Sequence, residues 1–242
     1  MEKQGEVIFK VFRYDPSRDR EGRFQTYKVP LVKGLTVLDA LIYIKENLDP
    51  TLSMRYSCRM ASCGSCGMTI NGLPRLACYT QVRELNSKVV VVEPLANFPK
   101  LRDLATDFDG FFAKHRAMKP YLIRQDREEQ ENPRDQYRQS DEELLQYLQF
   151  AYCIKCGLCY AACPVAATDK EFPGPQALAQ LYRYYADSRD QAEGERLEIV
   201  DNSHGIWRCH FAASCSYVCP KGVDPALAIQ LLRKALLFGG KR

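Results

Sequence analysis

The sequence predicts an α+β fold in two domains, on three observations. Strand-like alternation dominates the first third, helical periodicity and capping signals dominate the second half, and eleven cysteines sit in closely spaced motifs that bend the chain around small centres. Glu6 to Tyr14 (EVIFKVFRY) and Phe24 to Val32 (FQTYKVPLV) alternate and are rich in valine, phenylalanine and tyrosine, as paired strands are; Asp15, Pro16 and Gly22 lie in the turn between them. Thr36 caps a helix that runs through Leu48, with Leu38, Leu41, Ile42 and Leu48 on its buried face, and Asp49-Pro50 stops it. Met68 to Ile70 enters the hairpin turn Asn71-Gly72, and Lys88 to Glu93 is a further strand.

The helical half begins with Leu101, Leu104, Phe108, Phe111 and Phe112 at helical spacing up to Met118, closed by Pro120. Gln125 to Gln139 reads as a charged, solvated connector. Ser140 and Glu143 form a capping box for a helix leading to Cys153, the cap alone contributing about 1 kcal/mol. Pro175 and Pro225 occupy first-turn positions of helices reaching Tyr185 and Phe238, with Asp224 as the second cap. The apolar face of that last helix, Leu227, Leu231, Leu232, Ala235 and Leu236, reads as core, and Arg233, Lys234, Lys241 and Arg242 give it a basic end.

The cysteines carry the chemistry. Cys153-x2-Cys156-x2-Cys159-x3-Cys163-Pro164 is the bacterial ferredoxin run, and a second copy spans Cys209 to Cys219-Pro220 with Ala212 in its second ligand slot. Three thiols at two-residue spacing converge on one cluster, and the fourth serves the other cluster. Cys153, Cys156, Cys159 and Cys219 are therefore assigned to [4Fe-4S], and Cys163, Cys209 and Cys215 supply three ligands that best match [3Fe-4S]. A water or another residue at the open corner is the alternative. Cys58-x4-Cys63-x2-Cys66 with Cys78 is the plant-type spacing for [2Fe-2S], and Gly64 and Gly67 with Ser62 and Ser65 allow a tight loop that turns backbone N–H groups toward sulfur. Disulfides fit poorly with an odd count and no apolar leader in MEKQGEV. Structural zinc is collected from separated knuckles, unlike three successive cysteines repeated twice.

Strands around one helix beside a plant-type motif make residues 1–105 a β-grasp, plant-type ferredoxin domain; residues 106–242 form an α-helical, bacterial-type two-cluster ferredoxin domain. A net charge of +4, with basic residues interleaved with acids, gives no nucleic-acid footprint. No stretch has the apolar length of a membrane span, and the C-terminal ALAIQLLRKALLF is interrupted by Gln230, Arg233 and Lys234.

The SCRMASCGSCGMTING loop closing at Cys78, the CIKCGLCYAACP run, Ser188-Arg189-Asp190 and the CHFAASCSYVCPKGVDP segment together resemble the iron-sulfur subunit of fumarate reductase and succinate dehydrogenase. The resemblance covers nearly the whole chain and matches every cluster ligand. It implies an electron-relay subunit of a succinate:quinone oxidoreductase, passing electrons between the FAD of a flavoprotein partner and quinone at membrane-anchor subunits, with or without haem. The subunit would lie on the cytoplasmic face of the membrane, with [2Fe-2S] toward the flavin, [4Fe-4S] in the middle and [3Fe-4S] beside the quinone. His210 and Arg233 as hydrogen-bond or proton donors, with Pro164 and Trp207, mark the implied quinone vicinity, although core packing is the favoured reading of Trp207. Val165 and Thr168 replace the serine and tryptophan of the succinate dehydrogenase pattern and, with the RMA after Cys58, lean toward fumarate reductase. Arg55 and Arg59 flank Cys58 and supply positive field to the first cluster or ion pairs to neighbours. The competing functions are a soluble, thiol-linked fumarate reductase, a dehydratase-like catalyst using the open iron corner, and a zinc-held scaffold.

Overall fold

The computed structural model describes residues 5–239, so Lys241 and Arg242 lie outside the described residues. The chain forms two compact units, residues 1–108 with 154–162 and residues 109–153 with 163–242.

In the first unit, β1 (Glu6–Arg13), β2 (Arg23–Pro30), β3 (Gly67–Ile70), β4 (Leu73–Leu76) and β5 (Val89–Glu93) build one sheet in the order β2-β1-β5-β3-β4. β1 and β5 are parallel, with Phe9 opposite Val90 and Val11 opposite Val92, and the other pairings are antiparallel. Alternation sends Val7, Phe9 and Val11 inward with Val90 and Val92, where they share the core with Val37, Leu38 and Leu41 of α1 (Val37–Tyr43). Thr36 and Asp39 form a reciprocal capping box at the start of α1. Asn71 and Gly72 both hold positive φ, as a two-residue hairpin turn with matching twist requires.

Leu48 departs from the expected buried face. After Tyr43 the helix widens into a π turn over Ile44–Leu48, which rotates the later positions; Ile44 is fully buried and Leu48 is 46% exposed. A second departure follows at Leu101–Thr106. The helical spacing there is overridden, and β6 (Lys100–Arg102) and β7 (Ala105–Thr106) form a ribbon around Asp103, whose φ is 46°. Leu104 is buried while Leu101 is exposed. The cause is a buried ion pair. Asp103 accepts from Arg13 Nε at 3.0 Å, Tyr14 N at 2.9 Å and Ser53 N at 2.8 Å. Burial works against the Arg13 charge, but hydrogen bonds to Asp103 and Asp49 outweigh it, and its pKa stands above the ordinary value.

The second unit begins with α2 (Asp109–Ala117), the only part of the Leu101–Met118 pattern that is helical. The connector contains a one-turn α3 (Arg127–Glu131) and is tied down by Arg124 over the Tyr137 ring and by Arg134 on Glu129. The Ser140 box caps α4 (Asp141–Leu145), with Glu143 N on Ser140 Oγ at 3.2 Å and Ser140 N on Glu143 Oε2 at 2.7 Å. That helix does not run on to Cys153. It breaks at Tyr147, which is 2% exposed and donates its hydroxyl to Gln139, before α5 (Leu148–Ala151).

After α6 (Leu158–Ala161), which belongs to the first unit, come α7 (Pro164–Thr168), α8 (Pro175–Tyr185), α9 (Glu193–Val200), α10 (Ser214–Tyr217) and α11 (Pro225–Phe238). α8 packs on α11 through a core that includes Leu178, Leu181, Ala228, Ile229 and Leu232. Leu232 and Ala235 occupy this face as expected; Leu227 is 38% exposed, and Ala228 and Ile229 take its place. Arg196 is fully buried against Asp190 and donates to the carbonyls of Lys119 and Tyr121.

Replacing Asp103 with alanine leaves the Arg13 charge short of a partner in the core of the first unit, and is expected to cost about 3–5 kcal/mol of stability. Urea unfolding followed by far-UV circular dichroism measures this, and a loss below about 1 kcal/mol would contradict a folding role for the pair.

Candidate functional site

The first cysteine group is positioned by the β3–β4 hairpin. Cys66 immediately precedes β3 and Cys78 follows β4, and the Gly67–Leu76 pairing, extended by Ala77 N on Cys66 O at 3.0 Å, sets them side by side. The preceding loop is curled by left-handed residues at Arg59, Ala61 and Gly64. This conformation is uncommon outside glycine and here turns successive amides inward. Met60 N, Ser62 N and Cys63 N lie 3.4, 3.3 and 3.2 Å from Cys58 Sγ. Ala61 N donates to Cys78 Sγ at 3.3 Å, and Cys78 N to Cys66 Sγ at 3.5 Å. The four thiols of the plant-type motif are thus gathered within one cradle of N–H donors.

Their acidities are split by environment. A hydrogen bond from the Ser65 hydroxyl, the largest influence, pushes the Cys63 thiol down to about 6, whereas burial pushes Cys66 up to about 12. A cation such as iron beside Cys66 would favour its thiolate against that burial. A β-carbon on Gly64 would stand 2.9 Å from the Cα and Cβ of Cys156, so glycine alone allows this loop to press on the start of the ferredoxin run. The charge of Asp107 acts on Arg55, and the guanidinium groups of Arg55 and Arg59 lie over the rings of Phe108 and Tyr56 at 4.3 and 5.6 Å.

The second unit gathers another group. Cys163, Cys209 and Cys215 line one open cavity, walled by Phe172, Pro175, Ala226 and Ile229 and by the loop from His210 to Ser214. Burial raises the Cys163 thiol, and raises Cys215 to about 11. Cys163 sits at the N-cap of α7, followed by Pro164, and Phe211 N lies 3.4 Å from Cys209 Sγ.

The two ferredoxin runs share one backbone path. Lys155 and Gly157, two and four residues after Cys153, have positive φ, and Phe211 and Ala213, two and four residues after Cys209, do too. A one-turn helix follows in each, α6 and α10. Ala212 thus stands at the position of Cys156 in an unchanged wrap, and its methyl group lines the cavity where a thiol would be. Of the remaining cysteines, Cys156 and Cys159 fall in the first unit and Cys153 and Cys219 in the second.

Pro164 and His210 also line the cavity, while Trp207 and Arg233 do not. Trp207 is not core: it is 39% exposed and its indole N–H donates to Asp201 at 2.7 Å. The sequence places Ser65 in this loop without revealing that its hydroxyl serves Cys63, and it does not show a brace between the segments that carry Cys163 and Cys209. Asp169, directly after α7, accepts from His204 Nδ1 at 2.9 Å and Arg208 Nε at 3.2 Å, and from the amides of Glu171 and Phe172. Its partners lie 35 and 39 residues away, and no spacing rule links them.

The 2Fe-2S iron-sulfur cluster binding domain family matches residues 8–113, and the 4Fe-4S dicluster domain family matches residues 149–223. The chain is 49% identical to a fumarate reductase iron-sulfur subunit of Mycobacterium tuberculosis, over 93% of this chain and 90% of that relative. It is 39% identical to a succinate dehydrogenase iron-sulfur subunit of Paracoccus denitrificans, over 95% of this chain and 87% of that relative. Among solved structures, a chain of the Mycobacterium smegmatis Sdh1 complex in the apo form aligns with a TM-score of 0.86 at 27% identity, covering 96% of this chain and 95% of that one.

The brace makes a pH prediction. The hydrogen bond to Asp169 raises the pKa of His204 above its ordinary 6.5, so the pair's contribution is fully present below that value and is lost as pH rises through the raised pKa. The reciprocal lowering of Asp169, caused first by His204, adds stability above 3.8 that is lost as pH falls through the lowered pKa. Thermal unfolding from about pH 5 to about pH 8 should therefore show a decline in the wild type that His204→Ala removes. Parallel profiles for the two proteins would refute it.

Proposed function

This chain belongs to the iron-sulfur subunits of fumarate reductase and succinate dehydrogenase, and from that membership we propose that it carries electrons between the FAD of a flavoprotein subunit and quinone at a membrane-anchor subunit. The observation that carries the reading is the second ferredoxin run, which keeps the wrap of the first but sets Ala212 among three cavity-lining thiols. When bound, the clusters supply reversible one-electron chemistry with potentials set by hydrogen bonds, charge and burial.

The chain's own residues do the holding and tuning. Cys58, Cys63, Cys66 and Cys78 would hold [2Fe-2S], and the amides of residues 60 to 63 are aimed at their sulfurs. Cys153, Cys156, Cys159 and Cys219 would hold [4Fe-4S], and Cys163, Cys209 and Cys215 would hold [3Fe-4S] with Ala212 at the open corner. The small side chains of Ala212, Ala213 and Ala226 leave room for an inorganic core in that cavity. His210 and Pro164 line the same cavity, and with Trp207 and Arg233 they are the residues assigned to the quinone's vicinity.

Among the described residues no helix is long and apolar enough to cross a membrane. Family membership supports attachment through the anchor partner, on the cytoplasmic face. The higher identity to the relative named fumarate reductase, 49% against 39%, favours fumarate reduction as the working direction.

Three measurements on the complex purified from membranes test the reading. Metal and sulfide analysis should find about nine irons per chain, with EPR signals of an oxidised [3Fe-4S] and a reduced [2Fe-2S] cluster; absence of a flavoprotein partner would overturn the assignment. The [2Fe-2S] potential should lie above the roughly −400 mV of plant-type ferredoxins, because Arg55 and Arg59, which flank Cys58 in the sequence, supply positive field. A potentiometric titration that returned the ordinary plant value would dispose of that role for the arginines. Ala212→Cys should convert the three-iron signal to that of a four-iron cluster and slow quinone exchange, and an unchanged signal would mean that something besides the missing thiol sets the cluster type.

A further inference from the structure

We infer that Arg233 is a positioning residue for Cys209: it clamps the turn that delivers this thiol. The inference rests on the reading of Cys209 as a cluster ligand. Cys209 directly follows a single 3-10 turn, Ile206–Arg208. The carbonyls at the end of so short a helix have no partners within it beyond the Cys209 N–H on Ile206 O. Arg233 supplies the missing donors from α11. Its Nε and Nη2 lie 3.2 and 2.8 Å from Ile206 O, and the same Nη2 lies 3.3 Å from Trp207 O and 2.6 Å from Cys209 O.

Both ends of this clamp are anchored. On the helix side, Leu232 and Ala235 are buried, and the start of α11 is pinned by Asp224 on Leu227 N and by Ser216 Oγ on Asp224. On the turn side, the Trp207 ring lies 5.7 Å from the guanidinium, with its own N–H held by Asp201. A planar, permanently charged fork can serve several carbonyls at once, which a lysine ammonium on a flexible stem cannot do in the same geometry. The guanidinium also holds a fixed positive charge one carbonyl away from a thiolate ligand, so its removal disfavours the more negative, reduced form of the cluster.

The test uses the purified complex carrying Arg233→Gln or Arg233→Lys, read by EPR line shape, redox titration of the [3Fe-4S] signal and quinone kinetics. Both variants should alter the three-iron line shape. Arg233→Gln should lower the potential enough to change the reduced-to-oxidised ratio about tenfold at fixed poise, about 59 mV for a one-electron couple, and Arg233→Lys should shift it less. Selective loss of the three-iron signal, with the other two clusters retained, supports the clamp equally. An unaltered line shape and potential, with or without a raised quinone KM, overturns it, as does loss of all three clusters together. Absence of a three-iron signal from the unmodified complex would overturn the ligand assignment and this inference with it, and is distinguishable because it precedes any substitution.

Discussion

Sulfur ligands impose one constraint from which most of this structure follows: several thiols must face a common point while the backbone between them turns its N–H groups the same way. An extended or helical chain cannot do this over two-residue spacings. Left-handed residues can, and they occur at Arg59, Ala61 and Gly64 in one loop, at Lys155 and Gly157 in the second, and at Phe211 and Ala213 in the third. Most of these are not glycine, so each wrap stores backbone strain of about 1–3 kcal/mol per residue that surrounding contacts must offset.

Those contacts are partly ionic and deeply buried. Arg13 with Asp103 and Asp49 ties β1 to the ribbon and to the end of the first helix. Arg196 with Asp190 ties α9 to the backbone after α2. The Ser188-Arg189-Asp190 motif thereby acquires a physical meaning. Arg189 pairs with Asp187 and reaches the Tyr147 hydroxyl that breaks the α4–α5 path, and Asp190 receives both Arg196 and the Ile123 amide. These pairs join segments far apart in the sequence, a role suited to charges that cannot be left unpaired.

Much of this was legible in the residues because the signals are local. Strand alternation, the Asn71-Gly72 turn, the capping boxes at Thr36 and Ser140 and the prolines opening α8 and α11 each express a preference of a few consecutive residues. The illegible parts depend on partners far along the chain. Leu101 to Leu104 carries a helical spacing but yields to Asp103, whose partner Arg13 lies 90 residues away. Leu48 leaves its expected face because a π turn intervenes, which no spacing count registers. At the candidate site, the expected ligand sets rest on the cysteine spacing itself. The supports for Cys163 and Cys209, from Asp169 to His204 and from Arg233 to Cys209, are side-chain contacts between separate helices and turns, invisible until those elements are packed.

The membership of residues 154–162 in the first unit bears on the order of synthesis. Gly64 packs on Cys156, and Asn97 donates to the carbonyls of Tyr160 and Ala161, so the N-terminal sheet lacks part of its own packing surface until residue 162 has left the ribosome. The plant-type loop is translated early and finished late. Completion of the first unit is thereby tied to arrival of the first ferredoxin run, and a nascent chain halted after residue 108 would present an unfinished surface to whatever delivers its iron.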